Sequence, residues 1–523
     1  MAARILRCRE LMDEIFSHFA TRSDSSGEYD PKAAVRNKWN PTLINAALAG
    51  KALYEPALDV LWSHLDNLDP LLALLGTWKH KKPRKWGENI LDSRNDPIQI
   101  LTDRLSHERF ARFQHHARRI VSTNGLNRSP VHMTIWRSLS SMAGGRPLLP
   151  RLRRAIWYLR SVFEADLLLL IPPAFCFLDV EHWDAVYGPG YEYTERTKRK
   201  LKWRLRSRDH VSDLMAVKIA EAAPDLAGIR ICTPRFNALT VLSWFRNLSE
   251  LSIKCTRECV LPDGDCKVLF SQLRSLEVYA PVDSLNALLA KVDCPKLRHC
   301  SVRPHPTCGA DRLQECFDIM VRAFGNLESV KIRGWRQTYE EHHANICVPF
   351  TATVVRVLSQ LRSLKLVELS GGPGFWMLGL SLDSMLKAWP CLRSLKMTVL
   401  DEILGDFHEY KPPALVQIAR VDLMEIPGPS LQTLLEIPRW CPDLRELEIP
   451  VVEVFHLPRA YTGPSVNLPV ARFWSVKKRE SADKEAVWDA IDLISKEAEV
   501  YKWLDVPDDE VPGRDPLAPI MIN

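Results

Sequence analysis

The sequence contains no CxxC pair, and its 13 cysteines fall at irregular intervals. Neither a zinc finger nor a disulfide framework is written in such a pattern, which suits reduced thiols in the cytosol or nucleus. The nearest approach to a ligand spacing is Cys255, Cys259 and Cys266, with no histidine at finger distance, so no metal is expected. Long apolar runs are lacking too. The longest, Leu167 to Leu178, is 12 residues with two prolines inside it, too short and too broken to span a bilayer. The opening "MAARILRCRELMDEIF" carries charges where a signal peptide is apolar, which argues against secretion. Charge of one sign is scarce as well: a net +6 over 523 residues gives no general pull toward nucleic acid. The signatures of the hydrolase elbow, the phosphate loop and the zinc-protease helix are absent. "YEEHH" (Tyr339 to His343) gathers two acids and two histidines, but adjacent loop residues point in different directions. "SGGPGFW" (Ser370 to Trp376) reads as a turn. These absences predict a non-enzyme with no cofactor, no metal and no membrane segment.

What the sequence does have is a repeat. From Pro150 onward the unit L-x-x-Φ-x-Φ, with Φ apolar, recurs as "LRRAIW", "FCFLDV", "LAGIRI", "LSELSI", "LRSLEV", "LRHCSV", "LESVKI", "LRSLKL", "LRSLKM", "IARVDL" and "LRELEI". Five leading leucines stand two residues after a proline, and the starts from Leu226 to Leu444 step by 22 to 34 residues, the period of leucine-rich repeats. Helical stripes lie between the strands, such as Leu285, Leu288 and Leu289, or Leu313, Phe317, Met320 and Val321. One strand and one helix cannot bury an apolar face alone, whereas stacked units share a continuous core. The expected fold class is therefore α/β: an irregular solenoid with a parallel sheet on its concave side and helices on its convex side.

Side chains alternate along a strand, so the positions between the Φ residues face the concavity. Read in this way, Arg303, Lys331, Arg333, Lys365 and Lys396 form a basic stripe bounded by Glu277 and Glu448. Such a stripe would cradle an acidic or phosphorylated target segment; the alternative is an ordinary solvated face. A second basic stretch, "RTKRKLKWRLRSR" (Arg196 to Arg208), fits nuclear import, an acidic partner, or an edge strand kept unpaired by its charge, with nucleic acid the least favoured.

Ahead of the repeats, Leu11, Ile15, Phe16 and Phe19 lie on one helical stripe, Leu43, Ile44, Ala47 and Leu48 on a second, and Leu58, Leu61, Trp62 and Leu65 on a third. "ALAGKALYEPALDVLW" reads as two short helical pieces joined across Glu55-Pro56. Three short helices make only a small core, which leaves apolar surface to meet a partner or the next domain.

"ELMDEIFSHF", "LINAALAGKALYEPALDVLW" and "DNLDPLLALL", followed by a helical linker and the repeats, resemble the F-box-like proteins with leucine-rich repeats found in fungi, especially of the basidiomycete type. "RFQHHARRI" and "LLPRLRRAIW" are similar to that family's passage into its repeats. The resemblance implies a helical F-box-like domain at 1–70, a linker at 71–125, a solenoid at 126–470 and a C-terminal cap and tail at 471–523. It implies the substrate-recognition subunit of a Skp-cullin-F-box ubiquitin ligase: the F-box docks a Skp-family adaptor, which bridges to a cullin-RING ligase, and the repeats hold a target. Leu6, Leu11, Ile15, Phe16, Leu48, Leu53, Leu58 and Trp62 are then the F-box core and docking residues. One departure stands out: Arg7-Cys8 occupy the place where the family carries a proline-containing pair, and the alternative it leaves beside the ligase receptor is a repeat scaffold without ligase partnership. In the tail, Val487, Ile491, Ile494 and Ala498 lie close to helical spacing, as expected of a helix capping the open end of the array.

Overall fold

The computed structural model describes residues 15–16, 41–81, 98–126, 131, 133–159, 168–182, 216–232, 236–255, 267–304, 310–333, 357–371, 382–399, 434–454, 468, 470–479, 484–492, 494–495, 499–500 and 503–506. It divides into two compact units, Met1–Lys254 and Cys255–Asn523.

In the first unit, α1 (Pro41–Ala49) and α2 (Lys51–Ser63) meet at Gly50. The break expected at Glu55-Pro56 does not occur, because α2 runs through Pro56. Proline costs that helix one bond, to the carbonyl of Ala52, and Ala52 is exposed, so water can take the donor's place. The two-residue strand β1 (His64–Leu65) follows, then α3 (Asp69–Ala73), an antiparallel pair β2 (Trp78–Lys81) and β3 (Ile98–Leu101), and α4 (His107–Ala117). Ser106 caps α4 by accepting from the Arg109 N–H at 3.3 Å, and Phe110 and Phe113 bury its apolar face. Then come β4 (Ser122–Thr123), α5 (Met133–Met142), β5 (Arg154–Leu159), β6 (Phe177–His182), β7 (Gly228–Cys232), α6 (Phe236–Leu242) and β8 (Glu250–Lys254). β1, β4, β5, β6, β7 and β8 pair in that order, all parallel. The parallel ladder thus begins at His64–Leu65, ahead of the solenoid start expected at 126. Gly228 stands opposite Phe177 in the ladder; a Cβ at Gly228 would collide with the Phe177 ring, which carries the Arg154 guanidinium at 4.8 Å from its centroid.

The second unit repeats the same plan. β9 (Val268–Leu269) precedes β10 (Ser275–Ala280), and α7 (Val282–Lys291), β11 (Val292–Asp293), β12 (His299–Pro304), α8 (Ala310–Ala323), β13 (Ser329–Arg333) and β14 (Leu366–Gly371) follow. They lead to α9 (Leu382–Ala388), β15 (Ser394–Val399), α10 (Ile437–Trp440), β16 (Glu446–Val454), β17 (Val470–Arg479), α11 (Lys484–Asp492), β18 (Glu499–Val500) and β19 (Trp503–Val506). β10, β12, β13, β14, β15, β16 and β17 pair in sequence, parallel throughout, and β17 takes both β18 and β19. Long connections and parallel pairing are what strand–helix repeats require. β8, β10 and β12 alternate as the sequence pattern demands: in β10, Leu276, Val278 and Ala280 are buried while Ser275, Glu277 and Tyr279 are half-exposed.

The prolines before the motif leucines now have a reason. Leu152, Leu226, Leu297, Leu392 and Leu444 each close a tight turn by donating N–H to the carbonyl three residues back, at 3.1 or 3.2 Å. The proline at the second position of that turn already holds the φ it needs.

Three expectations shift. The repeat start expected at Leu361 lies at Leu364, since β14 buries Val367 and Leu369 completely and leaves Leu366 half-exposed. β15 pairs directly with β16, Ser394 opposite Glu446, where the sequence reading set one more strand between them; Ile418, with Asp422 and Met424, lies outside the described residues. The tail begins with a further ladder strand, β17, rather than with a cap alone. Val487, Ile491 and Ile494 are fully buried as the helical stripe predicts, and Ala498 lies outside the described residues. No helix among the described residues is long and apolar enough to cross a membrane.

Candidate interaction surfaces

Of the eight N-terminal residues singled out by sequence, Leu6 and Leu11 lie outside the described residues. The others divide sharply. Phe16, Leu58 and Trp62 are buried at 5%, 7% and 5% exposure, so they hold the fold together. Leu53 is intermediate. Ile15 is 40% exposed and Leu48 79%, and Tyr54, which the sequence reading passed over, is 42% exposed. Leu48 and Tyr54 flank Gly50, at the end of α1 and in the first turn of α2. An apolar side chain left outside while its helix neighbours are buried is the signal that could have found Tyr54.

The buried side of α2 is locked to α4. Arg119, just beyond α4 and with 1% of its side chain exposed, pairs with Glu55 and with Asp59, the latter at 2.7 Å, and donates to the His115 carbonyl. The Trp62 ring lies 4.3 Å from that of His116. Burial, with the charges of His115 and Arg119 beside it, drives the His116 imidazole down to about 4. α2 is thereby a supported platform from which Tyr54 projects, with Leu48 just before it at the end of α1.

On the sheet of the second unit the register sets the charges in rows. The first outward row runs Glu277, Ser301, Lys331, Glu368, Lys396 and Glu448. Lys365, placed by sequence in this row, is absent from it and Glu368 takes its position. The Lys331 ammonium bonds Glu368 at 2.9 Å, Arg333 approaches the same carboxylate at 3.4 Å, and Lys396 pairs with Glu446 at 2.8 Å. Arg303 lies over the Tyr279 ring, 5.4 Å from its centroid. Burial pushes the Glu368 carboxyl up, but the Lys331 ammonium and the charges of Arg333 and Lys396 outweigh it and leave the group below its ordinary value. The expected stripe of like charge is in fact a mixed row, in which Lys331 and Arg333 share Glu368 and Lys396 turns to Glu446. Lys365 sits at the entry to β14 and pairs there with Glu328 at 2.7 Å. The source of the misplacement is visible in "LRSLKLVEL", where L-x-x-Φ-x-Φ fits equally well from Leu361 or from Leu364.

No family model matches this chain, and no curated protein matches it. Among solved structures, it is similar to the crystal structure of a protein from Bacteroides fragilis, at 16% identity over 48% of this chain and 75% of that one, with a TM-score of 0.27. A likeness of that strength carries no argument about function. What the coordinates establish is a mixed α/β fold with long parallel ladders of the repeat type.

Proposed function

We propose that the chain is a non-enzymatic interaction protein, an F-box-like leucine-rich-repeat receptor whose N-terminal helices dock a Skp-family adaptor of a cullin-RING ubiquitin ligase and whose repeats hold a target protein. It would act in the cytoplasm or nucleus. The observation that supports the docking half is the pair Leu48 and Tyr54, apolar and exposed on either side of Gly50. The repeats support the other half, because a parallel strand–helix ladder offers a long, rigid row of outward side chains. Adaptor docking then falls to Ile15, Leu48, Leu53 and Tyr54, whereas Leu58 and Trp62 serve the fold.

The test is co-purification of the full chain with the Skp-family adaptor of the same organism. Leu48→Asp with Tyr54→Asp should abolish a stoichiometric complex while the melting temperature holds, because both side chains already face water. Retention of the complex in that variant would refute this docking face. A folded chain that captures no adaptor at all would leave the scaffold reading in its place.

A further inference from the structure

The residue directly after each motif leucine in the second unit forms a row of its own at the entry to the strands. The row consists of Arg274, Arg298, Glu328, Lys365, Arg393 and Arg445, and the backbone holds it in order. The N–H of Arg298 donates to the Arg274 carbonyl at 2.9 Å, Glu328 to Arg298 at 2.8 Å, Lys365 to Glu328 at 2.7 Å, Arg393 to Lys365 at 2.7 Å and Arg445 to Arg393 at 2.8 Å. Neighbouring members are therefore about one strand spacing apart, ~4.8 Å. Arg274, Arg298, Arg393 and Arg445 are exposed. The one carboxylate, Glu328, is shared by Arg298 at 3.0 Å and Lys365 at 2.7 Å, so five cations face one anion. The outward row of the sheet differs, since there Lys331 and Lys396 are each held by a carboxylate of their own, Glu368 and Glu446.

We propose that this strand-entry row binds an extended, carboxylate-rich peptide segment of a partner protein. Guanidinium groups in a line suit such a ligand, since each fork can grip a carboxylate with two parallel hydrogen bonds. A line of cations at roughly strand spacing also matches the reach of successive acidic side chains along an extended chain. Single-stranded nucleic acid fits less well: the residues just before the motif leucines, Gln272, Lys296, Asn326, Ser363, Cys391 and Asp443, include no aromatic ring on which a base could stack. As a statement of what the repeats hold, the inference rests on the interaction-protein reading, but it does not depend on adaptor binding.

Fluorescence anisotropy of a labelled Glu/Ser peptide against the full chain tests it. Arg393→Glu with Arg445→Glu should weaken binding by on the order of tenfold or more, and binding should fall as salt rises. Arg393→Gln with Arg445→Gln gives a second, milder variant should charge reversal disturb folding. Lys331→Gln with Lys396→Gln, on the outward row, should bind as the unaltered chain does. So should Leu48→Asp with Tyr54→Asp, which separates this result from that of the adaptor experiment. No binding by the unaltered chain, binding by both Arg393/Arg445 variants as tight as that of the unaltered chain, or tighter binding of an oligothymidine of matched charge would each overturn the proposal.

Discussion

At the scale of single residues, the Arg119 cluster is where the sequence's chemistry is most consequential for stability. Its members are not equivalent. Arg119 has 1% of its side chain exposed, while Glu55 and Asp59 have 45% and 25%. Removing the acids strands a cation in the interior, whereas removing the cation leaves two carboxylates that water can reach. Glu55→Gln with Asp59→Asn should therefore cost about 3–5 kcal/mol and Arg119→Met only about 1–2 kcal/mol, measured by urea unfolding; equal costs would contradict this. His116 adds a pH dependence whose sign is fixed. Its imidazole titrates near 4 when folded and near 6.5 when unfolded, so the unfolded chain takes up the proton first. Stability is unaffected above about 6.5 and declines as pH falls toward 4. His116→Asn should flatten that part of the profile in thermal unfolding, and an unchanged slope would show that another group sets it. The thiols follow burial in the same way: Cys300 is pushed up to about 12 by burial, and Cys441 to about 12 by burial and then by Cys391. Among the described cysteines, Cys176 and Cys391 are exposed and should be the ones that a maleimide labels in the native chain.

At the scale of elements, register decides what each surface is. A double-mutant cycle on Lys331 and Glu368 should return a coupling of about 0.5–1 kcal/mol, because the pair is partly sheltered and shared with Arg333. The cycle on Lys365 and Glu368 should return none; coupling in the second and not the first would restore the Leu361 frame. The repeats themselves were legible in the sequence because a leucine closing a proline turn and two alternating apolar positions leave a pattern that no helix or loop imitates over so many copies. The frame of one repeat was not legible, since "LRSLKLVEL" satisfies the pattern twice and only the depth of Val367 and Leu369 separates the two. Glu368 was missed with it, and so the outward row was read as basic. Four of the six members of the strand-entry row were in plain view as the arginine of an "LR" pair, but periodicity arguments follow apolar residues and pass over the polar residue beside them. At the N-terminus the stripes gave the helices but not their burial: Trp62 and Leu48 carry the same kind of signal, and only packing against His116 tells the inward one from the outward one.

At the scale of the whole molecule, a repeat array has open ends, and the way each end is closed decides whether the chain stays folded and soluble. In the second unit the ladder runs on through β17, which pairs along nearly all of β16 and receives β18 and β19 on its far side. The covering helix α11 and the turn after it bury Val487, Ile491 and Ile494 completely. The turn is tied back at the start of β17, where Leu468 donates its N–H to the Ile494 carbonyl at 2.8 Å. Ending the chain after Val454 would leave β16 as a bare parallel edge and uncover Leu447 and Ile449, now at 0% and 1% exposure. Each such apolar side chain returned to water costs about 1.5–3 kcal/mol, so the handful lost here equals a large part of the ~5–15 kcal/mol that holds a typical domain together. A chain ending at Val454 should therefore aggregate or bind a hydrophobic dye, as seen by size-exclusion chromatography, with the unpaired edge as the nucleus. A chain ending at Val506, which keeps the paired strands, should elute as the full-length protein does. If the shorter chain proved monomeric and equally stable, the closure of the array would have to lie before β17, and the strands from β17 to β19 would be an appendage rather than its end.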